Sequence, residues 1–138
     1  MKYKLILGLF LALIFLGCEN KIYTKIYDKK LAKEKIECLK LTSDNLIIED
    51  VVKNHPFIKK LLKNSCPYSL KITSNYITSC SSAKAKALGS DFDGFVRFDI
   101  YKDGIHIYRN QRDFKGKFTN KIADSLINKM REDLNFGD

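Results

Sequence analysis

The chain of 138 residues lacks the short motifs that most often mark an enzyme. It has no Gly-x-Ser-x-Gly turn, no phosphate-binding glycine loop and no convincing pair of carboxylates. Neither Cys-x-x-Cys nor His-x-x-x-His occurs, and the two histidines, His55 and His106, stand far apart. A zinc site needs about four ligands at close spacing. These absences favour a non-catalytic protein, and we predict neither a metal nor a cofactor.

No apolar run in the chain is long enough to cross a membrane as a helix. The longest, Leu5 to Leu16, has about 12 residues, whereas a membrane-spanning helix needs about 20. Two lysines precede this run, and Gly17 and Cys18 follow it. This order is typical of a secretory signal peptide. A buried core helix and a membrane span are the alternatives, but the run has no polar face and polar residues 19–21 end it abruptly.

The end of this run, Phe15-Leu16-Gly17-Cys18, resembles the lipobox of bacterial lipoproteins. Gly17 and Cys18 fit that pattern, Leu16 is larger than usual, and Phe15 stands where leucine is common. The resemblance implies that residues 1–17 are a signal peptide and that Cys18 carries the acyl chains of a lipid anchor. Two or more such chains hold a protein firmly on a bilayer. Because Glu19 stands where Asp favours inner-membrane retention in some bacteria, we expect an envelope lipoprotein of the outer membrane, facing the periplasm.

Acidic residues are scarce, and none occurs between Asp50 and Asp91. Without residues 1–17 the formal net charge falls from +9 to +7. Lysines outnumber arginines 21 to 4 and the chain carries an export signal, so we predict no nucleic-acid partner. We instead predict a basic patch that faces an acidic partner or anionic lipid, with an ordinary solvated lysine face as the alternative. The patch comprises Lys59, Lys60, Lys63, Lys84 and Lys86.

Three cysteines remain after Cys18, and thiols tend to pair outside the cytoplasm. We prefer a disulfide between Cys66 and Cys80, which would close a loop of about 15 residues and contribute about 3 kcal/mol in the chain-entropy model. Sequence does not fix the connectivity, so Cys38–Cys80 and Cys38–Cys66 stay open. A buried free thiol is the alternative for Cys38.

The mature chain has no Pro-, Gly- or Ser-rich linker, and its 121 residues suit one domain with a modest core. We assign residues 18–35 to a lipidated tether or first helix and residues 36–138 to the globular domain. The near-repeat of Lys-Ile-Tyr places Ile22 and Ile26 on one helical face. This helix could pack on the domain or lie near the bilayer.

The remaining runs predict an α+β fold in the order ββαβββα, with an antiparallel sheet of about five strands packed against two or three helices. Residues 36–41 and 46–52 form a predicted hairpin. A short helix then begins with Asn54 as its cap and Pro56 in its first turn. Residues 68–79 form a strand with a bulge at Ser74-Asn75. The last element is a helix from Lys121 to Leu134, capped by Thr119 or Asn120.

Residues 91–114 carry the strongest pattern, two alternating runs joined by Asp103-Gly104 in a type I′ turn. Regular pairing places Tyr101 opposite His106 and Asp99 opposite Tyr108. The predicted core face carries Val96, Phe98, Ile100, Ile105 and Ile107. The other face supplies the candidate binding residues, which are Phe95, Arg97, Tyr101, His106, Tyr108 and Arg112.

Tyrosine and arginine are enriched at binding hot spots, so this second face is the best candidate for function. Antiparallel sheets also leave one face to solvent without any function, and the hairpin edge could add a partner strand. We therefore expect a non-catalytic binding or assembly accessory protein, whose partner is another envelope protein or an anionic envelope component. Two alternatives stay open, a thiol-dependent enzyme or redox protein of the periplasm, and an electrostatic binder of anionic lipid or polymer.

Overall fold

A computed structural model of the protein describes residues 21–76 and 92–137. The predicted signal peptide, Cys18, and the segment 77–91 with Cys80, Lys84 and Lys86 lie outside the described residues. In the described ranges, no helix is both long enough and apolar enough to cross a membrane.

The described residues form a five-stranded mixed sheet in the order β1-β5-β4-β3-β2. Neighbouring strands are antiparallel except β2 and β3, which are parallel. The strands are β1 (Ile22–Ile26), β2 (Lys40–Ser43), β3 (Tyr68–Tyr76), β4 (Gly94–Lys102) and β5 (Ile105–Phe114).

Three helices share one buried core with one face of this sheet, which we call the covered face. They are α1 (Leu46–Lys53), α2 (Pro56–Leu61) and α3 (Asn120–Asp133), and a short 3₁₀ turn spans Leu31–Lys33. The buried core lies between the two layers, with residues such as Phe98, Ile100 and Leu126 fully enclosed. The predicted α+β class, with about five strands and two or three helices, is confirmed.

Helix α3 forms where the sequence predicts it. The hydroxyl of Thr119 accepts a hydrogen bond from the Ile122 amide, which caps the first turn. Apolar residues recur at helical spacing and are buried against the sheet: Ile122, Ala123, Leu126, Ile127 and Met130.

Helix α1 replaces the second strand of the predicted 36–52 hairpin, so that prediction is wrong. The Asn45 side chain accepts hydrogen bonds from the amides of Ile47 and Ile48 at 3.0 and 3.2 Å and starts a helix. Ile48 and Val52 are buried at the i, i+4 spacing of a helix. The β-branched composition of this run suggested a strand, but the cap and the spacing favour a helix.

The predicted helix between residues 18 and 35 is also wrong, because Ile22–Ile26 forms the edge strand β1. It pairs antiparallel with β5, from Ile22 opposite Arg112 to Ile26 opposite Tyr108. A spacing of four residues returns to the same side in a strand as well as in a helix, so the Lys-Ile-Tyr repeat fits both. The sheet therefore includes residues that the sequence analysis assigned to the tether.

The disulfide joins Cys38 to Cys66, so the preferred pairing of Cys66 with Cys80 is wrong. Its half-cystines are 28 residues apart and link the segment before β2 to the segment before β3. The chain-entropy model gives a closure of this length about 3–4 kcal/mol. The disulfide therefore holds together the starts of the two parallel strands.

Candidate functional site

A bulge in the β4–β5 hairpin decides which side chains face away from the helices. Asp103 and Gly104 both adopt positive φ, as the predicted turn requires, and Tyr101 pairs with His106. The register then shifts, because Ile100 pairs with Tyr108 and leaves Ile107 as an extra residue. The strand β3 pairs regularly throughout, so the bulge predicted at Ser74-Asn75 is wrong.

This shift moves two predicted binding residues, Tyr108 and Arg112, onto the covered face. Tyr108 is fully buried, and its hydroxyl donates to a carboxylate oxygen of Asp133 at 2.7 Å. Arg112 donates to the hydroxyl of Ser125 on α3 at 2.7 Å. Ile105, a predicted core residue, is 53% exposed. The regular pairing assumed from the sequence is wrong beyond the first two pairs.

Burial and the hydrogen bond to Asp133 raise the pKa of Tyr108 above its ordinary value of 10.0. Its neighbour on the same face, Asn110, donates to the carbonyl oxygen of Leu126 at 2.9 Å. Both polar groups therefore hold α3 against β5 and are unavailable to a partner.

The opposite face, which we call the open face, carries a stack of three rings. His106 lies between Tyr27 of the segment after β1 and Tyr101 of β4. The ring centroids are 3.9 Å apart for Tyr27 and His106 and 4.6 Å apart for Tyr101 and His106. No helix of residues 21–76 or 92–137 packs on this face.

Beneath the stack, Asp99 is only 2% exposed and has two cationic or polar partners. Arg109 donates from Nε to its Oδ1 at 2.7 Å, and His106 Nε2 lies 2.8 Å from the same oxygen. A carboxylate oxygen only accepts, so the hydrogen of this contact is on His106 Nε2. A buried carboxylate is stable only when it is paired in this way.

Two neighbours of Asp99, Arg109 and Tyr101, have raised pKa values. The hydrogen bond to Asp99 raises the pKa of Arg109 above its ordinary value. Burial, followed by the charge of Asp99, raises the pKa of Tyr101 above 10.0. Neither side chain is therefore a nucleophile at neutral pH.

Beside the stack, the open face has a shallow depression of about 260 Å³ between β1, β5 and β4. Its side chains are cationic, aromatic or neutral polar, and no carboxylate lines it. Arg97 donates from Nε and Nη2 to Gln111 Oε1 at 3.0 and 2.8 Å, and this contact fixes its guanidinium. The principal lining residues are Tyr23, Lys25, Tyr27, Arg97, Arg109 and Gln111.

Lysines and arginines lie over the aromatic rings of this region. The Lys25 Nζ is 4.8 Å from the Tyr27 ring centroid, and the Arg97 guanidinium is 5.2 Å from that of Phe95. Tyr23 and Tyr27 stay 49% and 41% exposed. The depression can therefore bind an anionic group while the exposed rings contact its apolar or planar neighbours.

Of the predicted binding residues, Phe95, Arg97, Tyr101 and His106 do lie on the open face. Five further residues of this face were not predicted from the sequence, namely Tyr23, Lys25, Tyr27, Arg109 and Gln111. The alternation of Tyr23, Lys25 and Tyr27 is a strand pattern that could have been recognised. The face on which Arg109 lies depends on the bulge, and no local sequence motif predicts that bulge.

A second cavity of about 320 Å³ lies between α1, α2 and the start of α3. His55 Nδ1 accepts the Phe57 amide at 3.2 Å, and His55, not Asn54 as predicted, caps α2. His55 Nε2 contacts Asp124 Oδ1 at 3.1 Å, so the side chain is not simply solvated. Both ring nitrogens of His55 therefore have partners within the fold.

Three lysines of the predicted basic patch, Lys59, Lys60 and Lys63, lie in the described part of the chain and are exposed on or just after α2. Lys59 and Lys60 are exposed on α2, and the Lys60 Nζ lies 5.0 Å from the Phe57 ring centroid. Lys63 instead lines a cavity of about 520 Å³ at the β2 edge, together with Lys40 and Lys53.

No group of three or more His, Cys, Asp or Glu side chains in residues 21–76 and 92–137 could hold a metal ion. No protein-family model, curated protein or solved structure matches this chain.

Proposed function

We propose that the protein is a lipid-anchored lipoprotein of the bacterial cell envelope that binds an anionic partner on its open face. The partner is an acidic segment of another envelope protein or an anionic envelope component. The proposed function is binding without catalysis, and the partner is not a nucleic acid. The observation that carries it is the depression whose three cations and two exposed tyrosines are unopposed by any carboxylate in its lining.

The anchor and the compartment enter this proposal through the sequence. Phe15-Leu16-Gly17-Cys18 resembles a lipobox, and acyl chains on Cys18 would hold the domain at a membrane. The disulfide between Cys38 and Cys66 is compatible with an oxidising compartment such as the periplasm. Glu19 stands where Asp favours inner-membrane retention in some bacteria, so we place the protein at the outer membrane, facing the periplasm.

Two physical features favour binding at this face. Asp99 has Arg109 and His106 as partners, so its charge does not oppose an anion bound above it. Tyr27, His106 and Tyr101 are already stacked on one another, so these three side chains lose little entropy when a partner packs on them. The site is therefore preorganised for an anion beside a flat contact surface.

The test measures binding of two anionic probes, a glutamate-rich peptide and polyphosphate, to the purified protein at low salt. Changing Lys25 and Arg97 together to Gln removes two cations from the depression. We expect this double variant to bind about tenfold more weakly, which corresponds to about 1.4 kcal/mol. Added salt should weaken wild-type binding in the same direction.

A matched control changes Lys59 and Lys60 together to Gln. Both are exposed on α2, so this control removes the same amount of charge away from the open face. We expect it to bind both probes nearly as the wild type does. Equal losses in the two double variants would show that net charge, and not the open face, controls binding. Absence of binding to both probes would contradict the proposal.

The anchor has a separate test, metabolic labelling with a clickable fatty acid in cells that carry wild type or Cys18→Ala. Label in the membrane fraction that disappears with Cys18→Ala would support the anchor. An unlabelled wild-type protein would contradict the lipid anchor. It would not bear on the proposed binding at the open face.

A further inference from the structure

One end of the sheet concentrates lysines and exposed apolar side chains. β1 starts at this end and β5 ends there, because these two strands are antiparallel. β2 also ends there, because it is parallel to β3, and both β3 and β5 are antiparallel to β4. The first turns of α1 and α3 follow β2 and β5, so they begin at the same end. We call this the basic end, and it comprises Lys21, Leu46, Ile47, Lys115, Lys117 and Lys121.

Leu46 and Ile47 are the most exposed large apolar side chains of the described residues, at 82% and 74%. They form the first turn of α1, where the Asn45 cap already satisfies the helix amides. Neither contributes to the core, which α1 contacts through Ile48 and Val52. Two adjacent exposed aliphatic residues are costly in water, and they suggest contact with an apolar phase.

Four lysines lie at the surface of the basic end. Lys21, Lys115, Lys117 and Lys121 are all exposed. The carboxylates nearby accept hydrogen bonds from neutral groups: Asp44 accepts from the Ser74 amide at 3.0 Å, and Asp93 accepts from the Gly116 amide at 2.7 Å. Glu49 lies in the first turn of α1. Asp113 accepts from Gln111 at 3.2 Å.

The distance to the predicted anchor is short. Three residues separate Cys18 from Ile22, the first residue of β1. Even a fully extended chain covers at most about 14 Å over four residue steps. An acylated Cys18 would therefore keep the start of β1 close to the head groups.

We infer that the basic end docks on the surface of an anionic bilayer, with Leu46 and Ile47 entering the head-group region and the lysines contacting anionic head groups. This inference rests on the lipid anchor of the proposed function. In this orientation one end of the sheet contacts the membrane. The open face does not lie against the bilayer, so an envelope partner can reach it. Apolar side chains of interfacial segments enter about 5–10 Å into the boundary between head groups and acyl chains.

The chain contains no tryptophan, so a single introduced Trp reports on one position. The experiment uses the full-length lipidated protein in vesicles of phosphatidylcholine and phosphatidylglycerol, with bromine atoms on the upper acyl chains as quenchers. Ile47→Trp should show a blue shift and a clear loss of fluorescence. The control is Ile105→Trp, because Ile105 is 53% exposed at the opposite end of the sheet. It should show neither change.

A second comparison tests the lysines. In the Ile47→Trp background, changing Lys115, Lys117 and Lys121 together to Gln should reduce the quenching. Changing Lys29, Lys30 and Lys33 to Gln, which are exposed near the opposite end, should leave the quenching unchanged. A triple variant of the basic end with unaltered quenching would overturn the electrostatic part of the inference.

Vesicle flotation separates failure of docking from failure of the anchor. Protein that floats with the vesicles while Ile47→Trp stays unquenched would overturn the docking and leave the anchor intact. Protein that does not float would overturn the anchor, and the docking inference with it. Equal quenching of the probes at residues 47 and 105 would also contradict a defined orientation.

Discussion

The two faces of the sheet use polar side chains in different ways. On the covered face, Tyr108 and Asn110 of β5 direct their polar groups to α3, where each has a defined partner. On the open face, His106 and Arg109 of β5 both contact Asp99 of the neighbouring strand β4. The first set joins two layers, whereas the second leaves exposed rings and cations above a paired acid.

The single extra residue Ile107 separates these two roles. If Ile107 instead paired with Ile100 in a regular ladder, alternation from the turn would place Tyr108 outward and Arg109 inward. With the bulge, a buried tyrosine and a surface guanidinium each have a partner. A polar residue in a strand therefore belongs to the core or to a binding surface according to register, and its chemical type alone does not decide.

The largest effect is expected from deletion of Ile107. Without Ile107, Tyr108 would follow His106 directly and stay opposite Ile100, so β5 would keep its two faces but lose the fully buried Ile107 side chain. Loss of a buried aliphatic side chain costs up to about 5 kcal/mol, and removal of the bulge also changes the local strand twist. We expect the free energy of unfolding, measured by urea denaturation with circular dichroism, to fall by about 4 kcal/mol. A deletion protein as stable as the wild type would contradict the place of Ile107 in the core.

The next comparison truncates one residue on each face. Leu126→Ala removes a fully buried side chain under the sheet and should lower the free energy of unfolding by about 3 kcal/mol. Lys25→Ala removes an exposed side chain of the open face and should change it by less than about 0.5 kcal/mol. Urea denaturation measures both, and similar losses for the two variants would show that the open face is also part of the core.

A smaller loss is expected when the acid beneath the ring stack is removed. Asp99→Ala leaves Arg109 without its partner, but the Arg109 side chain is 33% exposed, so water compensates in part. We expect a loss of about 2 kcal/mol, below the range for fully buried pairs. Arg109→Met in the Asp99→Ala background should restore part of the stability. A double variant as unstable as the sum of the two single variants would rule out coupling between these residues.

The smallest effect concerns the hydroxyl of Tyr108. Tyr108→Phe removes its hydrogen bond to Asp133 and should cost about 1 kcal/mol at neutral pH. Because the folded pKa of Tyr108 is raised above its ordinary value of 10.0, its contribution is complete below pH 10.0 and is lost as pH rises beyond it. The wild type should therefore lose stability above pH 10.0 more steeply than Tyr108→Phe. Parallel pH profiles would refute this assignment.

Sequence patterns predicted the elements whose signals are local. The Thr119 cap with its apolar stripe and the Asp103-Gly104 turn each act within a few residues, and both are confirmed. The α+β class follows from the sum of such signals. By contrast, a four-residue repeat did not distinguish a strand from a helix at Ile22–Ile26, which is a strand because β5 lies beside it.

The candidate site was only partly predictable for the same reason. Phe95, Arg97, Tyr101 and His106 lie on β4 or near the turn, where regular alternation still holds. Tyr108 and Arg112 lie beyond the bulge, and their side was predicted wrongly. The pairing of Cys38 with Cys66 depends on the parallel arrangement of β2 and β3, which brings the two preceding segments together.

The most direct test of the binding surface compares the two sides of the protein in living cells. A photocrosslinking phenylalanine derivative replaces Tyr23 on the open face or Asn128, which is exposed on the outer side of α3. We predict a discrete crosslinked product from position 23, weakened by Lys25→Gln with Arg97→Gln, and none from position 128. Products of equal yield from both positions, or from position 128 alone, would contradict the account.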